Sequence, residues 1–114
     1  MFDFQRLEVY KKAKLFHIDC KKILVEKNLD KFVIDQLGRA SFSVPLNIAE
    51  GSGKFSRAHR KNFFTIARAS LFECVAVIDI LEDEGNMNEF EFKKMMKDAD
   101  ELSRILYAMI KNLS

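Results

Sequence analysis

The chain has no tryptophan, a single proline, four glycines and two cysteines among its 114 residues. Each scarcity excludes something. Two cysteines do not make the disulfide framework of a small secreted domain. Few glycines and one proline leave little material for the closely spaced turns of an all-β protein. No apolar run approaches the roughly 18 residues that a bilayer-spanning helix needs. The opening MFDFQRLEVYKKAK lacks a continuous apolar centre, so a secretory leader is not expected, and a cytoplasmic location is. Cys20 and Cys74 both fall on apolar helical stripes and are expected as buried thiols.

What is present is helix-forming material: 48% hydrophobic residues, 32% charged residues and eleven phenylalanines. The length suits one domain, 1–114. Apolar residues alternate at spacings of 4 and 3 in four segments. Val9, Ala13, Phe16, Cys20 and Ile23 mark the first, over about Phe4 to Lys27. Val33, Leu37, Ala40, Val44 and Ile48 mark the second, with Asp30 as N-cap and Gly51 as the residue beyond its end. Phe63, Ala67, Ser70, Cys74, Val77 and Leu81 mark the third, between Ser56 and Gly85. Met95, Ala99, Leu102, Leu106, Met109 and Leu113 mark the fourth, which Asn88 and Glu91 open as a capping box. Four such helices with short links predict an all-α, antiparallel up-down four-helix bundle. The third also carries Phe64, Ile66, Leu71, Phe72, Val75, Ile78 and Ile80 outside its stripe. That surplus points either to a generous core or to a second covered surface made by self-association.

The lone proline sits in SFSVPLNIAEGSGKFS, residues 41–56. Pro45 has no N–H and crowds the carbonyl of Ser41, so the second helix is expected to kink or break near 41–45, with the Ser41 and Ser43 hydroxyls free to serve the released backbone groups. Gln36, Arg39, Ser43, Asn47 and Glu50 form a polar stripe on this helix, poor in the Lys and Glu of a solvated face. Such a stripe suits specific hydrogen bonds within the protein or against a partner, the alternative being ordinary solvent exposure. Glu50, near a helix C-terminus, calls for a cation, with Arg39 and Arg68 as candidates. The segment EGSGKFS fails as a phosphate loop, because Ile48 stands where the first glycine belongs and Phe55 follows Gly53-Lys54. His17 and Cys20 share a face, yet no further metal ligands accompany them. Arg57 lies too near His59 for the Arg–His spacing of HEPN-type ribonucleases. No cofactor, metal, small-molecule substrate or catalytic constellation is expected.

Charge is distributed unevenly although the net is only +2. Residues 36–78 carry a net +4 and residues 79–101 a net −6. No acid occurs between Gly51 and Phe72. Within that span Arg57, Lys61 and Arg68 fall on one helical face, flanked by Lys54 and Arg60. Those five are the candidate nucleic-acid-binding residues, since such a face can contact several phosphates with salt-sensitive affinity. The alternative is a protein-binding or purely structural oligomer, in which this face meets the acidic 79–101 region of another subunit.

LEVYKKAKLF (7–16), QLGRASFSVPLNIAEGSGK (36–54) and the FFTIARASLFE run (63–73) resemble the bacterial 23S rRNA-intervening sequence protein family, also called the four helix bundle protein family. The match centres on Gln36, Arg39, Ala40, Ser43, Pro45, Asn47, Ile48, Ala49, Glu50 and Gly51, followed by Ala67, Ser70 and Glu73. It departs from the family pattern at Gly38, at Tyr10-Lys11, and at His59, where an acid is common. The resemblance implies a four-helix bundle assembled as a ring-shaped homopentamer, with no enzymatic activity and an unsettled role. A related group, the accessory variability proteins of diversity-generating retroelements, has a basic surface and binds reverse transcriptase and nucleic acid. By that resemblance the partners are further copies of the chain, together with RNA, DNA or a nucleic-acid enzyme, and no membrane. Gln36, Arg39, Ser43, Pro45, Asn47, Glu50 and Gly51 then make up a structural motif at the helix 2–helix 3 junction and a subunit contact.

Overall fold

A computed structural model describes residues 1–114. After a single 3-10 turn, Asp3–Arg6, come α1 (Glu8–Glu26), α2 (Lys31–Ser52), α3 (Arg57–Asp83) and α4 (Glu89–Asn112), with no strands. Each helix packs on its sequence neighbours and α1 closes on α4, while no backbone contact crosses either diagonal. That order is an up-down four-helix bundle, 44 × 23 × 22 Å in extent. None of its helices is long and apolar enough to cross a membrane.

The caps show why the helices begin and end where they do. The Ser56 hydroxyl accepts the His59 N–H at 3.0 Å. Asn88 and Glu91 complete the expected capping box, with the Glu91 N–H on Asn88 Oδ1 at 2.7 Å. Asp30 occupies the N-cap position of α2, but its side chain makes no cap bond. Gly85 takes φ +77°, which glycine alone adopts without cost. There the Asn86 N–H reaches the Leu81 carbonyl at 2.8 Å and closes α3 in a Schellman motif.

The core comes from one stripe of each helix. In α1 it is the expected set, Val9, Ala13, Phe16, Cys20 and Ile23. In α4 Met95, Ala99, Leu102 and Leu106 are buried. The α3 stripe differs from expectation. Its buried residues are Phe64, Ala67, Leu71, Cys74, Ile78 and Leu81, while Phe63, Ser70 and Val77 are only half-buried. The core therefore absorbs Phe64, Leu71 and Ile78 from the apolar surplus. Ile66, Phe72 and Ile80 stay exposed.

Helix α2 also differs. It runs unbroken through Pro45 to Ser52, so Pro45 costs one backbone hydrogen bond, to the Ser41 carbonyl, without ending the helix. The Ser41 and Ser43 hydroxyls are engaged elsewhere. Ser41 Oγ lies 2.9 Å from His17 Nδ1 and donates to the Gly38 carbonyl at 3.3 Å. Gly51 is not a left-handed cap but a buried interior residue of the helix. A Cβ there would stand 2.8 Å from Phe64 Cε1 and 3.0 Å from Phe63 Cβ. It is glycine because α3 approaches α2 too closely for anything larger.

Candidate nucleic-acid interface

The polar stripe of α2 divides between two destinations. Gln36 donates to Glu73, Ser43 Oγ meets Ser70 Oγ at 2.9 Å, and Asn47 Nδ2 donates to the Ser43 carbonyl and hydroxyl at 2.8 and 2.9 Å. Gln36 and Ser43 thus tie α2 to α3, while Asn47 orients Ser43 from within α2. Arg39 and Glu50 are exposed and form no ion pair. The cation expected beside Glu50 is thus not recruited, because water screens a surface carboxylate well enough.

The basic residues gather where α2 hands over to α3. Lys54 lies in the turn with its ammonium 5.1 Å above the Phe63 ring. The Arg60 guanidinium donates to the Lys54 carbonyl at 2.7 Å, which fixes the turn. Arg57 reaches the Asn112 carbonyl at the end of α4, 2.6 Å away. Lys61 follows one turn later, half-buried, and His59 is exposed among them. None of the four Lys and Arg side chains has a carboxylate partner. Arg57 and Arg60 each spend a donor on a backbone carbonyl, and all four side chains lie at one end of the bundle.

Arg68 stands apart from this cluster. It lies eleven positions after Arg57, roughly 16 Å along the helix at 1.5 Å per residue. Its guanidinium sits between Phe72 and Tyr107, 4.6 and 5.4 Å from the ring centroids, and donates to the Ser103 carbonyl at 3.2 Å. These contacts draw it onto α4, in a role of cation–π packing. Spacing alone put it on the face of Arg57 and Lys61, but spacing carries no information on which neighbouring carbonyl or ring a long side chain will meet.

The acidic region is used differently. Glu101 pairs with Lys12 at 2.7 Å, Glu91 with Lys27 at 3.0 Å, Asp100 with Arg104 at 3.0 Å and Glu89 with Lys93 at 2.8 Å. Lys94 bridges Asp98 and Asp19, at 2.7 and 3.0 Å. Its hydrogen bonds to Asp98 and then Asp19 hold the ammonium's pKa above the usual lysine range. Asp79, Glu82, Asp83 and Glu84 at the C-terminal end of α3 form no ion pair.

No cluster of three His, Cys, Asp or Glu side chains gathers where a metal could be held. Between α3 and α4 lies an open groove of about 500 Å³, lined by Phe72, Val75, Ala76 and Met96 with Asp79 and Asp100 among its polar members. Ser103 lines it as well. His17, the one histidine packed into the bundle, is held below its usual pKa by burial and by the Lys21 charge. Cys20 and Cys74 are fully buried; the neighbouring Cys74 and burial push the Cys20 thiol up, away from the thiolate that reactivity needs.

A sequence model of the 23S rRNA-intervening sequence proteins matches residues 5–108. Among curated proteins no sequence match is found. Among solved structures the fold is similar to a crystal structure from Bacteroides thetaiotaomicron, described as a protein with unknown function from the S23 ribosomal protein family, with TM-score 0.84 and 24% sequence identity over 90% of this chain and 98% of that one. At that identity the structural likeness speaks for the fold. With four helices in up-down order and a family match from Gln5 almost to the end of α4, the chain belongs to the 23S rRNA-intervening sequence protein family.

Proposed function

We propose that this protein is a non-enzymatic adaptor that assembles with copies of itself and binds nucleic acid through Lys54, Arg57, Arg60 and Lys61. One observation carries the reading: four cations gather around a single turn without a carboxylate partner among them, in a stretch free of acids from Gly51 to Phe72. Phosphates fit such a site, because each contact releases condensed counterions. Arg68, committed to α4, serves the fold rather than this face.

Self-association belongs to the same proposal. Phe32, Phe42 and Leu46 on α2 and Ile66, Phe72 and Ile80 on α3 are exposed, and apolar surface of this kind marks interfaces. A pentameric ring, a bend of α2 at Pro45 and a cytoplasmic setting are the finer expectations that the family resemblance and the proline add. The competing reading pairs the basic turn of one subunit with the acidic 79–101 region of the next. Against it, five of the nine acids in that region, Glu89, Glu91, Asp98, Asp100 and Glu101, already pair within the chain.

The test is fluorescence anisotropy of labelled RNA and DNA with the purified protein at several salt concentrations, beside sedimentation of the protein alone. Micromolar or tighter binding with a steep salt slope is expected, and Lys54→Glu with Lys61→Glu should abolish it while the sedimenting mass stays unchanged. No binding at low salt would refute the adaptor reading. Dissociation of the assembly by the same variants or by high salt would favour the subunit-pairing alternative.

A further inference from the structure

The basic turn contains a residue that charge does not explain. Phe55, between Lys54 and Ser56, is 100% exposed. Scattered surface aromatics are ordinary, but a phenylalanine at full exposure contributes nothing to the packing of its own chain. Its immediate surroundings are cationic: Lys54 precedes it, and Arg57, Arg60 and Lys61 follow within six residues. The turn that presents it is fixed, because Arg60 holds the Lys54 carbonyl at 2.7 Å and Ser56 caps α3.

A second exposed aromatic borders the same turn. Phe2 is 74% exposed and lines, with Phe4, an open groove of about 340 Å³ whose other wall includes Ser52 and Gly53. One carboxylate, Asp3, also lines it. Gly53 thus has Phe2 on one side and, two residues on, Phe55.

We propose that this end of the bundle binds single-stranded nucleic acid, with an unpaired base stacked on the Phe55 ring while Lys54, Arg57, Arg60 and Lys61 hold the flanking phosphates. The inference rests on the proposed function and names its substrate class. Aromatic rings set among cations are the chemistry of single-strand sites, because every base offers a π-face whereas the bases of a duplex are already stacked on each other. A duplex meets the same cations but leaves Phe55 in water. Phe2 offers a second platform for the next base, across Gly53.

The experiment compares a labelled oligouridine with an RNA duplex of equal length by anisotropy, using the wild-type chain, Phe55→Ala, Phe55→Trp and Lys54→Gln. Substitution at a fully exposed position leaves the fold intact, which circular dichroism checks. Oligouridine should bind more tightly than the duplex. Phe55→Ala should weaken oligouridine binding by about tenfold or more with the salt slope unchanged and duplex affinity unaltered. Lys54→Gln should weaken both ligands and lower the slope. Phe55→Trp should retain single-strand affinity and, in a chain with no other tryptophan, its emission should be quenched by oligouridine. Equal affinity for both ligands, unaltered by Phe55→Ala, overturns the stacking site and leaves the proposed function standing. Absence of any binding overturns both. A change in sedimenting mass with Phe55→Ala overturns the inference in favour of a subunit contact at Phe55.

Discussion

Ser43 of α2 and Ser70 of α3 face each other with their hydroxyl oxygens 2.9 Å apart, and Asn47 completes the group by donating to the Ser43 hydroxyl at 2.9 Å and to its carbonyl at 2.8 Å. A helix–helix seam built from short hydrogen-bonding side chains fixes register more strictly than an apolar one, because a slip leaves polar groups without partners. Asn47→Ala should cost about 1 kcal/mol. Ser43→Ala with Ser70→Ala together should cost less than the sum of the two single changes, since removing one hydroxyl already breaks the pair. Urea denaturation of the four proteins measures this; strict additivity would show that the hydroxyls do not interact.

Two glycines of α2 should respond in opposite directions to the same change. Gly38→Ala places its methyl 3.8 Å from Leu24 Cδ1, an ordinary contact. It should stabilise the protein by about 0.5–1 kcal/mol through helix propensity. Gly51→Ala gains the same propensity but drives its methyl to 2.8 Å from Phe64 Cε1 and 3.0 Å from Phe63 Cβ. Overpacking costs about 1–3 kcal/mol, so the net should be a loss of about 1 kcal/mol. Thermal melts should move up for the first and down for the second.

Stability should fall on mild acidification because of His17. Its pKa is lowered in the folded state by burial, with the Lys21 charge adding to the effect. The unfolded chain therefore binds a proton more readily than the folded one. The neutral form's contribution is complete above the unfolded pKa near 6.5 and is lost as pH drops through the lower folded value. Melting temperature measured between about pH 8 and 5 should decline at the acidic end, and His17→Gln should flatten that decline. An unchanged profile in the variant would assign the effect to other groups.

Cys20 and Cys74 should resist oxidation to a disulfide even though both sit in the middle of the core. A disulfide needs Cα atoms about 4.4–6.8 Å apart, and no Cα of α1 comes within 8 Å of a Cα of α3. Oxidised glutathione should leave the native chain's mass and its mobility without reductant unchanged, and both thiols should react with an aromatic disulfide reagent only after denaturant is added. A cross-link formed in the native protein would contradict this geometry.

Much of the candidate site could be read along the chain. The acid-free run from Gly51 to Phe72 and the Ser56 cap placed a cationic turn at the start of α3, and a local feature of this kind survives folding with little change. Arg68 did not conform, because its position depends on Phe72, Ser103 and Tyr107, of which two belong to another helix. Phe55 has no sequence signal of its own within the failed phosphate-loop pattern. Only its exposure singles it out, and exposure is a property of the folded surface.

The sequence by itself determined the number of helices, the N-caps of α3 and α4 and the stripes of α1 and α4, since periodicity and capping are local and every residue votes for the same register. The tertiary structure decided what depended on a neighbour. It rotated the buried stripe of α3 toward Leu71 and Ile78 so that Ser70 could meet Ser43. It carried α2 through Pro45, where packing on α1 and α3 outweighs one lost hydrogen bond. It gave Gly51 its role through the ring of Phe64. Each of these turns on distances between helices, which close packing sets and no single segment encodes.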